Sequence, residues 1–177
     1  LQKFVSKEVI TADKKAGILS RIRFENSLDA LKNADLVVEA IIENEEIKKD
    51  LFKRLDELVK PSAILASNTS SISITRLAAA TKRPEQVIGM HFMNPVPLMK
   101  LVEIIRGAQT SDETYAVVAD LTARLDKTGV MSRDFPGFIS NRVLMPLINE
   151  AIFALFEGIG SAQDIDTVMK LGMNHPM

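Results

Sequence analysis

The feature that most constrains this chain is an alternation of short apolar runs with segments whose apolar residues recur every three to four positions. Leu36-Val37-Val38 and Ala40-Ile41-Ile42 form one run, broken only by Glu39. This is the pattern of a strand buried on both faces, as in a parallel sheet. Ile47, Leu51, Phe52, Leu55, Leu58 and Val59 follow at helical spacing. Asn44 is placed to cap that helix, Glu45 and Glu46 lie in its first turn where the helix dipole favours them, and Pro61 stands just past its end. Ala63-Ile64-Leu65-Ala66 reads as the next strand, and the polar turn Ser67-Asn68-Thr69-Ser70-Ser71 leads to a helix over residues 75–82. Residues 87–92 and 101–105 read as two further strands. Val117, Val118, Leu121 and Leu125 line one face of another helix, which Thr110-x-x-Glu113 opens in the form of a capping box. Gly129 closes it, and Val130-Met131 makes a last short strand. The alternation predicts an α/β fold: a parallel sheet with helices on both faces.

The texture changes after Asp134-Phe135-Pro136-Gly137. Val143, Leu144, Leu147, Ile148, Ala151, Ile152 and Leu155 mark one long apolar helix that contains Pro146, a residue that kinks or loosens a helix. Ser161-x-x-Asp164 then opens a short helix carrying Ile165, Val168 and Met169. The chain therefore divides near residues 133–137. Residues 1–133 form part of a sheet domain, and residues 134–177 form the start of an all-α domain. Leu1, Phe4 and Val5 lie at helical spacing with no Met before them, and the chain stops at Gly-Met-Asn-His-Pro-Met just after a helical segment. Both ends read as cut.

Composition removes several kinds of chemistry. Lys and Arg number 22 against 23 Asp and Glu, a net charge of -1 without the basic excess of a nucleic-acid binder. Cysteine is absent, which excludes disulfides, thiolate metal sites and cysteine nucleophiles. With only His91 and His175, a histidine-rich metal site is not expected. No apolar run approaches the ~18–20 residues of a membrane span. The only Gly-x-Gly is Gly158-Ile159-Gly160, which follows a helix and lacks a third glycine. It reads as a helix end and turn, so a dinucleotide-binding glycine loop of a Rossmann-type domain would have to precede Leu1.

Four positions stand out chemically. The Ser67–Ser71 run follows a buried strand, and open parallel sheets bind ligands beyond the carboxyl ends of their strands. Its hydroxyls and amide either face a ligand or simply make a helix cap and turn. His91 ends an apolar strand, where it serves either as a general base, its ring titrating near neutrality, or as a structural histidine. Glu103 sits inside the next apolar strand, where a carboxylate is costly to bury without a partner. A histidine ring is the partner within reach, and a carboxylate on one ring nitrogen leaves the other free to take a proton. Asn141, a poor helix former in the first turn of an apolar helix, either caps that helix or reaches into a cleft between the domains.

The stretches SNTSSISIT, IGMHFMNPVPLMKLVEII and DFPGFISNRVLMPLINEA closely resemble the L-3-hydroxyacyl-CoA dehydrogenase family, and the likeness runs from about Ala34 to Met177. The resemblance implies a partial Rossmann-type NAD-binding domain followed by the start of a helical dimerisation domain. It implies NAD as cofactor, an acyl-CoA substrate, a homodimer, and oxidation of a 3-hydroxyl to a 3-ketone. His91 matches the family's general base and Glu103 its ion-pair partner. Ser70 matches the serine near substrate and nicotinamide, and Asn141 an asparagine that hydrogen-bonds in the active site. Glu43, Lys48, Ser70 and Asn94 match positions lining the NAD site, and no metal is implied. Cytoplasm and the mitochondrial or peroxisomal matrix all suit such a protein. A crystallin-like relative without turnover, or a segment of a multifunctional fatty-acid oxidation enzyme, are the alternatives.

Overall fold

The computed structural model describes residues 2–176. Its five strands form one sheet in chain order: β1 (Leu36–Glu39), β2 (Ile64–Ser67), β3 (Val87–Phe92), β4 (Leu101–Arg106) and β5 (Thr128–Arg133). The helices are α1 (Gln2–Ser6), α2 (Ala12–Leu19), α3 (Glu45–Leu58), α4 (Ile74–Ala78), α5 (Asp112–Arg124), α6 (Ser140–Phe156) and α7 (Ala162–Thr167). Leu1, expected at the start of the first helix, lies outside the described residues. Among those residues no helix is long and apolar enough to cross a membrane.

The sheet departs from a purely parallel one at a single seam. β1, β2 and β3 run parallel, β4 is antiparallel to β3, and β5 is parallel to β4. The connection explains the reversal. Residues 93–100 carry no helix, and a parallel return needs a crossover of a dozen residues or more.

Helices cover both faces, as the alternation predicts. Side chains point alternately along each strand. Leu65, Val87 and Ile105 therefore meet Phe52 and Leu55 of α3 and Ile74 and Leu77 of α4 on one face. Ile64, Ala66, Ile88, Met90, Val102 and Ile104 meet Val118 of α5 on the other. Gly89 lies where β3, β4 and α4 approach most closely. A Cβ there would stand 2.8 Å from the Ile105 Cβ and 3.1 Å from the Ile74 Cδ1. Overpacking of this kind costs about 1–3 kcal/mol. Gly89→Ala should therefore lower the urea midpoint by that equivalent, and an unchanged midpoint would show that the seam can relax.

Some local expectations need correction. On α3 the buried stripe is Lys48, Phe52 and Leu55 with Asp56, whereas Ile47 is 48% exposed. The stripe is rotated by one position because Lys48 pairs with the buried Glu39 and with Glu43. The cap of α5 is Ser111, whose Oγ accepts from Thr114 N at 3.1 Å. Thr110 is occupied elsewhere: its hydroxyl donates to the Val87 carbonyl at 2.6 Å and accepts from Gly107 N at 2.9 Å. Gly129 does not end α5 but lies within β5; the helix stops at Arg124, and Asp126 takes the left-handed turn, with φ of 57°.

The strand expected through Ile42 stops at Glu39, the helix expected over 75–82 spans only Ile74–Ala78, and α5 buries Thr114, Val118 and Thr122 while Val117 and Leu125 are exposed. Several further expectations agree with the structure. Asn44 caps α3 by accepting from Glu46 N and Ile47 N. Ser161 and Asp164 form a reciprocal capping box at α7. Gly158, with φ of 73°, follows the end of α6. Pro146 lies inside α6, whose apolar side chains, Val143, Met145, Ile152 and Phe156 among them, are exposed.

Candidate active site

Strand alternation and the antiparallel seam together create the site. His91 is directly opposite Glu103 across β3 and β4, and both project toward the face that carries α3 and α4. The His91 Nδ1 lies 2.8 Å from the Glu103 Oε2, and both residues are buried. A carboxylate at Nδ1 holds the proton there, which leaves Nε2 of the neutral ring as an acceptor. The Ser70 hydroxyl lies 3.1 Å from Nε2 and donates to it in that tautomer. The Phe138 ring packs against the imidazole with centroids 6.1 Å apart.

Glu103 has a second task that the sequence pattern did not reveal. The first residue before α6, Ile139, offers no side-chain cap. Glu103 supplies the acceptor from β4 instead. Its Oε1 takes Ile139 N at 3.0 Å and Ser140 N at 2.9 Å, and its Oε2 takes the Ser140 hydroxyl at 2.8 Å. A helix N-terminus favours a negative charge. Burial works against ionisation of Glu103, but the hydrogen bonds from His91, Ser140 and Ile139 outweigh it and hold the carboxyl below its usual range. The chain reaches this arrangement through Gly137 and Phe138, both left-handed, with φ of 80° and 50°. At Gly137 a Cβ would meet Arg142 N at 2.9 Å. Phe138 adopts a conformation that is uncommon for an aromatic residue, and its side chain is buried against His91.

The loop after β2 is tied down by one carboxylate from the segment after β1, that of Glu43. Glu43 Oε1 accepts from the Thr69 hydroxyl and, at 2.9 Å, from Ser70 N. Burial raises the Glu43 carboxyl, but the bonds from Thr69, Ser70 and Lys48 hold it below its ordinary value. Lys48 is buried, with its Nζ 2.5 Å from Glu39 Oε1 and 3.3 Å from Glu43 Oε2. Asn68 Oδ1 accepts from Phe92 N at 2.9 Å, which fastens the loop to β3. The cap of α4 is Ser73, so the Ser67–Ser71 run is not the helix cap. Asp134, just after β5, accepts from Ile74 N at 3.0 Å and Thr75 N at 2.8 Å.

The structure thus brings together Ser70, His91, Glu103 and Asn141, whose Nδ2 donates to the Ser70 carbonyl at 3.1 Å. Asn141 does not cap α6. Glu43 lies beside the same loop, partly exposed, while Lys48 is behind it and reaches the loop through Glu43. Asn94 is exposed in the turn beyond β3, before a cis Pro95. Sequence reasoning missed Glu39, Ser140 and Phe138. The interruption of an apolar strand by Glu39 was a readable signal, of the same kind that singled out Glu103.

A mostly parallel sheet with helices on both faces, and a buried His–Glu pair closed over by the first turn of a following helix, defines a Rossmann-type module. Family models agree with that class. Residues 1–135 match the 3-hydroxyacyl-CoA dehydrogenase NAD binding domain, and residues 137–177 match the 3-hydroxyacyl-CoA dehydrogenase C-terminal domain. The chain belongs to the 3-hydroxyacyl-CoA dehydrogenase family. It is 55% identical over 177 residues to a 3-hydroxybutyryl-CoA dehydrogenase of Bradyrhizobium diazoefficiens, covering 100% of this chain and 60% of that protein. It is 48% identical over 152 residues to the mitochondrial hydroxyacyl-coenzyme A dehydrogenase of Homo sapiens, covering 86% of this chain and 48% of that one. The crystal structure of (S)-3-hydroxybutyryl-CoA dehydrogenase from Ralstonia eutropha superposes with a TM-score of 0.96 at 50% identity, covering 99% of this chain and 62% of that one. The chain therefore spans about 60% of the length of the bacterial relatives.

Proposed function

We propose that the complete protein oxidises the 3-hydroxyl of an L-3-hydroxyacyl-CoA, such as 3-hydroxybutyryl-CoA, to the 3-ketone with NAD. The observation that carries this reading is the line Ser70–His91–Glu103, with one ring nitrogen committed to a buried carboxylate and the other turned to a hydroxyl. The carboxyl edge of the sheet fits the cofactor chemically. Ile41 and Ile42 are exposed apolar residues just after β1, and Glu43, the next residue, accepts from Ser70 N. Such a set suits a planar ring and ribose hydroxyls, with Glu43, Ser70 and Asn94 as the contacting residues and Lys48 supporting Glu43. Bound NAD supplies the hydride acceptor.

His91 Nε2 takes the proton of the substrate hydroxyl as the carbon–oxygen bond becomes a carbonyl. Glu103, ionised and fixed by the first turn of α6, stabilises the charged ring that results. Ser70 occupies the position a substrate hydroxyl would need, so it orients that group or yields to it. Asn141 fixes the Ser70 backbone. The domains divide within residues 133–137, and the apolar surface of α6 supports a homodimer formed through the helical part.

The test is NAD reduction by the complete protein on adding L-3-hydroxybutyryl-CoA. No turnover with this or longer 3-hydroxyacyl-CoA substrates would overturn the assignment. Asn141→Ala refines it. Loss of an ordinary helix cap costs about 1 kcal/mol. Because Asn141 bonds to Ser70 rather than to the helix, kcat is expected to fall while the urea midpoint stays near that of the parent. A stability loss of cap size with normal kinetics would reduce Asn141 to a structural residue.

A further inference from the structure

One carboxylate at the carboxyl end of β1 is withdrawn completely from solvent. The Glu39 side chain is 0% exposed, and that of its partner Lys48 is 1% exposed. Glu39 Oε1 accepts from Lys48 Nζ at 2.5 Å and from Ile41 N at 2.6 Å, and Oε2 accepts from the Ser67 hydroxyl at 2.6 Å. Two of these donors lead on to Ser70: Ser67 belongs to the segment that carries it, and Lys48 pairs with Glu43, which grips it.

Two routes lead from Glu39 to Ser70. In the first, the Ser67 hydroxyl that donates to Glu39 accepts from Thr69 N at 3.2 Å. In the second, Lys48 bridges to Glu43 Oε2 at 3.3 Å, and the other oxygen of Glu43 holds the Thr69 hydroxyl and Ser70 N. We propose that Glu39, with the Lys48 ammonium it buries, is a positioning residue that fixes the loop after β2 so that the Ser70 hydroxyl meets His91. This rests on the dehydrogenase reading above.

The energetics favour a geometric role. A buried ion pair often adds little net stability over well-packed apolar side chains, because desolvation offsets the attraction. What it does provide is a fixed direction for every lone pair and proton. Without the charge of Glu39, Lys48 retains a single carboxylate, Glu43. That carboxylate is partly exposed and free to turn inward, which releases Thr69 and Ser70. The Ser70 hydroxyl then loses its register against His91 Nε2, and misplacement by about 1 Å near reacting atoms can lower a rate on the order of 10²-fold.

The experiment is a kinetic cycle in the complete protein. Glu39→Gln keeps shape and removes charge. It should lower kcat by about 10- to 100-fold with the acyl-CoA KM little moved. In a Ser70→Ala background the same change should add almost nothing, because both substitutions break one unit. Ser67→Ala, which cuts only the first route, should give a smaller loss that also vanishes in the Ser70→Ala background. It carries the cycle if Glu39→Gln does not fold. An independent arm needs no substrate: the His91 ring nitrogen signals, read by NMR in histidine-labelled protein, should move in the same direction in Glu39→Gln, Ser67→Ala and Ser70→Ala. Losses that multiply, a near-normal kcat, or unmoved ring signals would overturn the proposal. If the parent protein turns over no 3-hydroxyacyl-CoA, the dehydrogenase reading fails by itself, and the NMR arm still decides the positioning role.

Discussion

His91→Gln in the complete protein is expected to lower kcat by about 10²–10⁴-fold or more, with KM for the acyl-CoA nearly unchanged. Glutamine keeps a polar group near Ser70 but cannot accept and hold a proton. Glu103→Gln should also lose turnover, since a neutral amide at 2.8 Å no longer stabilises the charged ring. The double variant should be no slower than roughly the worse single, because the ring and its carboxylate act as one unit. Steady-state kinetics of the four proteins decide it. Independent, multiplying losses would mean that the two residues do not cooperate, and a near-normal His91→Gln enzyme would remove the base assignment.

The second large effect is on stability. Glu103 accepts from His91, Ser140 twice and Ile139, so truncating it strands four buried or half-buried donors. Leaving a buried donor unsatisfied costs about 1–3 kcal/mol, and with four donors stranded Glu103→Ala is expected to destabilise by at least that much by urea unfolding. The pH dependence has a definite sign. Although burial opposes it, the hydrogen bonds hold the carboxyl below its ordinary value. A lowered native pKa means that the unfolded chain binds the proton more readily. The contribution of Glu103 is therefore fully present above the ordinary carboxylate value of about 4.3, and it is lost as pH falls through the lowered native value. The stability gap between parent and Glu103→Gln should accordingly be widest near neutrality and narrow in acid. A gap that widens on acidification would contradict the ionised, multiply bonded carboxylate.

The same residue shows where sequence reading succeeds and where it stops. Glu103 was visible as a carboxylate in an apolar strand, and the cost of burying a charge pointed to His91 as its partner. Its capping of α6 was not visible. That bond joins β4 to a helix more than thirty residues later, and no local pattern encodes it. Lys48 shows the same limit on a smaller scale. Helical period places Ile47 and Lys48 at neighbouring positions, and hydrophobicity favours burying Ile47. Glu39 and Glu43 reverse the choice, because a paired ammonium can be buried where an unpaired one cannot.

What the sequence determined by itself was whatever depends on short-range periodicity and on the chemistry of single side chains. The existence and order of the strands and of helices α3 and α5, the caps at Asn44 and Ser161 and the chemical candidacy of His91 and Glu103 all belong there. Only the tertiary structure decided how those pieces meet. The β3–β4 seam is antiparallel because residues 93–100 are too few for a crossover, and that reversal sets His91 and Glu103 face to face. The first turn of α6 then finds its acceptor on β4, and Ser70, held by Glu43 from the segment after β1, meets His91. Hydrogen-bond partners so far apart in the chain are chosen by the geometry of the assembled sheet, which no window of sequence contains.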